Sequence, residues 1–157
     1  MLNNKTTDGL KVTGRLKLTV RNADGSIAQQ QEVDNLVVTA GKAGIASVLA
    51  NSVPTPTNPR VNYVALGTGT NSPAAGDTTL QTETYRKITA SGYSVSNVAT
   101  ITGFYSTTET TGTYREAGLF MSGTGSANTG TLLSRVAINI TKTNVQTLTI
   151  EWTITIS

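Results

Sequence analysis

The final segment of the chain, VQTLTIEWTITIS (145–157), alternates between large apolar and polar side chains with a period of two. That period indicates a β-strand with one buried face and one polar face. Burial of the apolar row would contribute roughly 8–12 kcal/mol of gross free energy by area. We therefore expect this strand to lie at the centre of a core, with the following residues facing inward: Leu148, Ile150, Trp152, Ile154 and Ile156.

Period-two alternation recurs in much of the chain and predicts further strands. Residues 10–20 alternate, the turn sequence Asn22-Ala-Asp-Gly25 follows, and residues 26–33 return as a second strand, which predicts a β-hairpin over 10–33. A buried strand is predicted at 61–66. From residue 80 onward the chain reads as five antiparallel strands, at 80–90, 93–105, 112–122, 131–141 and 145–157.

One segment changes to helical spacing. Ile45, Val48 and Leu49 lie at i, i+3 and i+4, which predicts a short α-helix at about 40–51, with Thr39 as its N-cap and 51–54 as its end. A proline-rich surface loop is expected after it, at 53–60.

The predicted fold class is therefore mainly β, an antiparallel β-sandwich with an N-terminal β-hairpin and one short α-helix. We expect an N-terminal arm and hairpin at 1–34 and a sandwich with the inserted helix at 35–157, forming one compact unit. The strand order does not follow from the sequence.

Histidine and cysteine are absent, and only 13% of the residues are charged. The chain therefore lacks the commonest general base, a thiol nucleophile and any thiolate ligand for a metal. The Gly67-Thr-Gly69 turn lacks the spacing and the lysine of a phosphate-binding loop, and no acidic residues show the spacing of a calcium loop. We expect no enzymatic activity, no cofactor and no metal.

The net charge of +3 is spread along the chain, so we expect no nucleic-acid partner. The N-terminus has no apolar stretch typical of a secretory signal, and no segment reaches the ~20 apolar residues of a membrane span. We therefore expect folding in a cytoplasm and no membrane partner.

Charged residues inside two predicted strands form the main candidate constellation: Glu83, Arg86, Arg115 and Glu116. Two carboxylates beside arginines could serve as an acid/base pair, as in glycoside hydrolases. They could instead form a cross-strand ion-pair network that fixes the strands in register. The structural interpretation is favoured, because an arginine lies within three residues of each carboxylate and few aromatic residues are available to bind a sugar.

Two motifs in this region, in this order, resemble a known family. They are L80-x-x-E83-x-x-R86, within DTTLQTETYRK, and R115-E116-A117-G118-L119-F120, within TGTYREAGLF. With the helix before them and the Thr/Ile-alternating strand after them, residues 36–157 resemble the N-terminal, particle-attachment module of tail-fibre (tail-collar) proteins of tailed bacteriophages. The hairpin at 10–33 is an addition in front of this module.

The resemblance implies a non-enzymatic virion protein, assembled in the host cytoplasm and bound to other tail, neck or capsid subunits. By analogy with fibres, the implied oligomer is a homotrimer. Because no shaft repeats or receptor-binding tip follow the module, we expect a short tail-fibre, collar or adaptor component. The alternative within this class is a capsid decoration protein that cements the head shell.

Two further expectations concern surfaces. The polar side of the first strand carries four basic residues and is a candidate contact with an acidic neighbour in the particle: Lys11, Arg15, Lys17 and Arg21. A different class, a glycan-binding β-sandwich used in host adhesion, would need exposed aromatic side chains, and the tyrosines would have to supply them: Tyr63, Tyr85, Tyr93, Tyr105 and Tyr114.

Overall fold

The computed structural model describes residues 9–50 and 60–157. Its strands and helix are Val12–Arg21 (β1), Ile27–Val37 (β2), Thr39–Leu49 (α1), Val61–Gly67 (β3), Glu83–Ile88 (β4), Ser91–Val95 (β5), Val98–Tyr105 (β6), Gly112–Met121 (β7), Thr131–Lys142 (β8) and Thr147–Ile156 (β9). The prediction of a mainly β, antiparallel fold with one short helix is confirmed for these residues. Residues 1–8 of the expected N-terminal arm and residues 53–59 of the expected proline-rich loop lie outside them.

The nine strands found in the described ranges form one antiparallel sheet in the order β4-β3-β7-β8-β2-β1-β9-β6-β5. The sheet curls so that its two halves face each other like the layers of a sandwich. We call β1, β9, β6 and β5 the front half, and β8, β7, β3 and β4 the back half. A single apolar core fills the space between them, and the Tyr105 hydroxyl of β6 donates a hydrogen bond to the Val64 carbonyl of β3 (3.1 Å) across it.

The last strand lies where its alternation predicted. β9 is paired on one side with β1 and on the other with β6, and Leu148, Ile150 and Trp152 are fully buried. Ile156 is the exception, because it lies at the end of the strand and is 39% exposed. The hairpin strands β1 and β2 belong to the same sheet, since β1 pairs with β9 from Val12↔Ile156 to Arg21↔Thr147.

The curl is located at β2, which pairs with β1 along most of its length but with β8 only through Leu36 and Val37. Beyond that point the two strands separate, and glutamine side chains replace the backbone ladder. Gln31 Oε1 accepts a hydrogen bond from the Asn139 N–H (3.0 Å), and Gln29 Oε1 accepts one from the Thr141 N–H (3.0 Å). The bend is therefore stabilised without leaving these strand donors unpaired.

The prediction of one strand at 93–105 is wrong. A two-residue turn at Ser96-Asn97 divides it into the hairpin β5–β6, closed by the Val95↔Val98 pair. Ser96 adopts a positive φ of 54°, which a tight hairpin turn requires and which glycine or asparagine more often provides. A serine at this position gives little warning in the sequence.

The helix α1 begins two residues from the end of β2 and packs against β8. Its N-cap is Val38, which makes no side-chain cap, so the prediction of Thr39 as N-cap is wrong. The Thr39 N–H instead donates to the Ala75 carbonyl (2.8 Å), which satisfies a helix-terminal donor in place of a capping side chain. Within the described residues, no helix has the length and apolar character needed to cross a membrane.

Candidate functional site

Arg115 and Glu116 are neighbours in sequence but lie in opposite environments. The register between β7 and β8 shifts between Tyr114 and Glu116, which resets the alternation of side chains along β7. Tyr114 and Ala117 therefore both contribute to the core, Arg115 is exposed, and Glu116 is buried on the outer side of the back half.

The Glu116 carboxylate is surrounded by backbone donors from the loop between β3 and β4. Its Oε1 accepts hydrogen bonds from the N–H groups of Gly69 (3.1 Å) and Thr82 (2.7 Å), and its Oε2 accepts one from Gln81 (3.0 Å). A Cβ on Gly67 or Gly69 would overlap the Glu116 side chain. The Gly67-Thr-Gly69 turn therefore helps to bind an anion, which is the Glu116 carboxylate of the protein itself.

Arg135 of β8 is the cationic partner of Glu116, with Nη2 at 2.8 Å and Nε at 3.0 Å from Oε2. Its Nη1 also contacts Asp77 Oδ2 (2.6 Å), and its Nη2 donates to the Asn71 carbonyl (3.1 Å). Burial raises the pKa of Asp77, but the Ala74 N–H and the Arg135 guanidinium outweigh that effect and leave its pKa below the ordinary value. The arginine therefore binds two acidic groups and one carbonyl.

Sequence reasoning missed Arg135. The one signal for it was an isolated charge in the otherwise uncharged and largely apolar run Leu132–Ile138 of a predicted strand. A lone arginine at a buried strand position needs a buried acid, and Glu116 was the acid available.

Glu83 and Arg86 form a second buried ion pair, which does not include Arg115 or Glu116. Two parallel hydrogen bonds join them, Nε–Oε1 at 2.5 Å and Nη2–Oε2 at 2.8 Å, and the side chains are only 1% and 3% exposed. The Arg86 guanidinium stacks 4.6 Å from the centroid of the Phe120 ring, a favourable cation–π geometry.

This second pair holds the loop between β7 and β8. Arg86 Nη1 donates to the carbonyls of Thr124 and Thr129 (3.0 Å each), and Glu83 Oε2 accepts a hydrogen bond from the Asn128 N–H (2.9 Å). The four predicted residues thus do not form one network, because Glu116 pairs with Arg135 and Arg115 faces solvent. Each buried pair instead attaches one long loop to the back half of the sheet.

The geometry of the two pairs suits structure better than proton transfer. The Glu116 oxygens accept hydrogen bonds from three backbone N–H groups and an arginine, and the Glu83 oxygens are bound by Arg86 and a backbone N–H. A general acid or base must reach the group with which it exchanges a proton. Both carboxylates are instead enclosed by the loops that they hold.

A third charged cluster holds the loop between β6 and β7. Lys142 is fully buried and donates to the carbonyls of Thr107 (3.3 Å), Glu109 (2.7 Å) and Thr143 (3.2 Å). Burial lowers the pKa of its ammonium group. Glu109 in turn binds Lys87 (2.6 Å), and that contact, together with the Ser106 N–H, lowers the pKa of Glu109 to about 2.

The predicted basic side of the first strand carries both signs of charge in the folded protein. Arg15 forms an ion pair with Glu32 (3.0 Å), and Lys17 lies between Glu32 of β2 and Glu151 of β9 in the strand register. Lys11 precedes β1, and Arg21 donates to the Gly25 carbonyl in the hairpin turn (3.0 Å). This face is not the uniformly positive surface that an acidic partner would select.

The tyrosines are not assembled into an aromatic platform. Tyr105 and Tyr114 belong to the core, and Tyr63 and Tyr85 are half-buried against it. Tyr93 on β5 is 61% exposed and lines a shallow groove of about 300 Å³ on the front half. Among the described residues, no group of three or more acidic side chains is placed to hold a metal ion.

The fold and these contacts define a class: a small β domain made from one curled antiparallel sheet, with its long loops attached by buried ion pairs. No family model, no curated protein and no solved structure matches this chain.

Proposed function

We propose that this protein is a non-enzymatic structural component of the particle of a tailed bacteriophage. Its role would be that of a short tail-fibre, collar or adaptor piece that attaches through protein–protein contacts. It would be assembled with other virion subunits in the host cytoplasm.

One observation carries this proposal: the two motifs that resemble the tail-fibre module form a single structural unit. Glu116, from the second motif, accepts hydrogen bonds from the backbone of Gln81 and Thr82 in the first motif. Leu80, from the first, packs with Phe120, from the second, in an apolar cluster on the outer side of the back half. Motifs that combine in space to hold one loop are better evidence for a shared module than two separate short matches.

The physical properties of the domain suit an attachment role. Loops are ordinarily the least stable parts of a protein, and here three of them are fixed to the sheet by buried charged groups. A domain stiffened in this way presents the same surface to each neighbour in an assembly. Binding then requires little ordering of the partner surfaces, which preserves affinity.

The test is the composition of the particle. Virions released by a host that carries this gene should contain the protein, measured by quantitative mass spectrometry against a major structural protein of known copy number. A tail, neck or collar location predicts tens of copies or fewer per particle, whereas a decoration protein predicts hundreds. Absence from purified, intact particles would contradict both virion roles.

A further inference from the structure

Among the strands that the structure describes, β5 lies at one edge of the sheet, and its own residues give that edge little protection. All five residues of Ser91–Val95 are exposed, and the sequence SGYSV contains no charge and no proline. Its pairing with β6 keeps a single register from Ser91↔Thr102 to Val95↔Val98. The ladder is irregular only where the strand begins, because the Ala90 N–H also donates to the Thr102 carbonyl (2.7 Å). Proteins usually protect such edges with charges, prolines or bulges, because an open edge accepts a further strand.

The opposite edge of the sheet shows the contrast. β4 is also terminal in the strand order, but it carries Glu83, Arg86 and Lys87 and has a register shift near its start. Charge and irregularity of this kind discourage edge-to-edge pairing. β5 therefore lacks the charges that β4 carries.

The register identifies which backbone groups of β5 point away from the sheet. The two-residue turn makes Val95↔Val98 a hydrogen-bonded pair, and such pairs alternate along an antiparallel ladder. Tyr93 and Ser91 are therefore bonded to β6, while the N–H and C=O groups of Gly92 and Ser94 point outward. Of the strands in residues 9–50 and 60–157, only β6 pairs with β5.

We propose that β5 pairs with β5 of a second copy of this chain, antiparallel and about a two-fold axis at Tyr93. In this register Gly92 lies opposite Ser94 of the second copy, and the reverse, so that four backbone hydrogen bonds form. The outward groups are symmetric about Tyr93, so an identical strand complements them fully. This inference does not depend on the proposed virion role.

The side chains suit the same arrangement. Tyr93 would lie beside Tyr93 of the second copy in a non-hydrogen-bonded pair, the position at which cross-strand side chains come closest and aromatic pairs stabilise a sheet. Val95 is 66% exposed and would be covered in part. The strand has no charge to repel its copy, although each chain carries a net charge of +3.

The inner side of β5 is also open rather than packed against the back half. The inner side of β5 borders an open groove of about 500 Å³, lined by Gly92 and Ser94 on one side and by Val61 and Ile88 on the other. The contact is small by the standards of stable dimers. We therefore expect a weak dimer, with a Kd on the order of 100 µM, which would strengthen when several copies are held close together.

Sedimentation velocity of the purified chain from about 5 µM to 1 mM, a range centred on that Kd, tests the proposal. The wild type should shift from monomer to dimer. Tyr93→Lys places two positive charges side by side at the axis, and Ser94→Pro removes an outward N–H without touching the bonds to β6. Both variants should raise the Kd of the dimer by about tenfold or more, which is the order expected for a lost central contact.

Leu49→Lys is the matched control, because Leu49 is 80% exposed on α1, away from β5. It makes the same change from an apolar to a charged side chain, and it should dimerise like the wild type. Thermal unfolding of each variant verifies that it is folded. The proposal would be overturned if the wild type stays monomeric to 1 mM or forms a trimer. It would also be overturned if both β5 variants dimerise as well as the wild type.

Hydrogen exchange gives a second readout that needs no substitution. The amides of Gly92 and Ser94 should exchange rapidly in dilute protein and slowly in concentrated protein, whereas those of Tyr93 and Val95 should be protected at both concentrations. Protection of Gly92 and Ser94 that does not change with concentration would contradict pairing with a second copy.

Discussion

Glu116 and Arg135, nineteen residues apart, form an ion pair of 2.8 Å in which the side chains are 1% and 4% exposed. The pair joins β7 to β8, and it also fixes the loop between β3 and β4, because Glu116 accepts hydrogen bonds from three backbone N–H groups of that loop. Loss of one partner would leave the other as an uncompensated buried charge.

Glu116→Gln should therefore lower the free energy of unfolding by about 2–4 kcal/mol. The amide would present N–H donors to backbone N–H groups and would leave Arg135 without its charge partner. Urea unfolding followed by circular dichroism measures the change. The matched control is Arg115→Gln, which alters the exposed neighbour and should change the stability by less than about 0.5 kcal/mol. Equal effects at the two positions would refute the buried pair.

Arg86→Lys should destabilise the protein by about 2 kcal/mol, although it keeps the positive charge. Lysine cannot form two parallel bonds to Glu83, reach the Thr124 and Thr129 carbonyls and stack on Phe120 at the same time. The control is Arg15→Lys in the exposed pair with Glu32, which should be close to neutral. Thermal unfolding measures both, and a neutral Arg86→Lys would show that the guanidinium geometry is not required.

Gly41→Ala should destabilise the protein, although alanine favours helices by up to about 1 kcal/mol over glycine. A Cβ at Gly41 would overlap the backbone of Leu133, so α1 would have to move away from β8. Gly44→Ala on the same helix is the control. Its Cβ would lie 3.3 Å from the flexible Met121 Sδ, so that substitution should be nearly neutral. The measurement is the denaturation midpoint of each variant compared with that of the wild type. A Gly41→Ala variant that is more stable than the wild type would contradict the close approach of α1 to β8.

Glu109 should make the free energy of unfolding depend on pH in the acidic range. Its pKa is lowered from 4.5 to about 2 in the folded protein, chiefly by the hydrogen bond from Lys87, so the unfolded chain takes up the proton first as the pH falls. The stabilisation is therefore complete above about pH 5 and is lost progressively as the pH falls from 4.5 toward 2. The free energy of unfolding of Glu109→Gln should be lower than that of the wild type at pH 7, and the two should become similar near pH 2.

Lys87→Met removes the main partner of Glu109 and should flatten the same part of the pH profile. Free energies of unfolding from urea titrations between pH 2 and 7 give the comparison. A difference between the wild type and Glu109→Gln that stays constant over this range would show that Glu109 does not carry the dependence.

Local patterns predicted the elements well where a single period extended over many residues. β9 shows this best, since its alternation gave both the strand and its buried face, and α1 was placed to within two residues. Ser96-Asn97 was missed because its turn depends on a positive φ at a serine. The two-residue turn shifts the phase of the alternation by one residue, so that Val95 and Val98 lie side by side on one face, and a single shift of this kind in a Ser/Thr-rich segment is easily overlooked.

The pairing of charges could not be predicted because it depends on register between strands that are distant in sequence. Glu83 and Arg86 lie three residues apart, and they do pair with each other. Glu116 had a closer arginine in Arg115, but the register shift between β7 and β8 leaves Arg115 in solvent. Arg135 became its partner because the sheet brings that residue to the same buried position.

By itself, the sequence determined that this chain forms antiparallel strands with one short helix, because side-chain alternation and helical spacing are local properties of the backbone. Only the tertiary structure decided the order of the strands within residues 9–50 and 60–157, the bend at β2, and which of these strands lies uncharged at an edge of the sheet. The tertiary structure also decided which charged side chains form ion pairs with each other. Those outcomes depend on long-range pairing, where a shift of one residue exchanges the buried face for the exposed one.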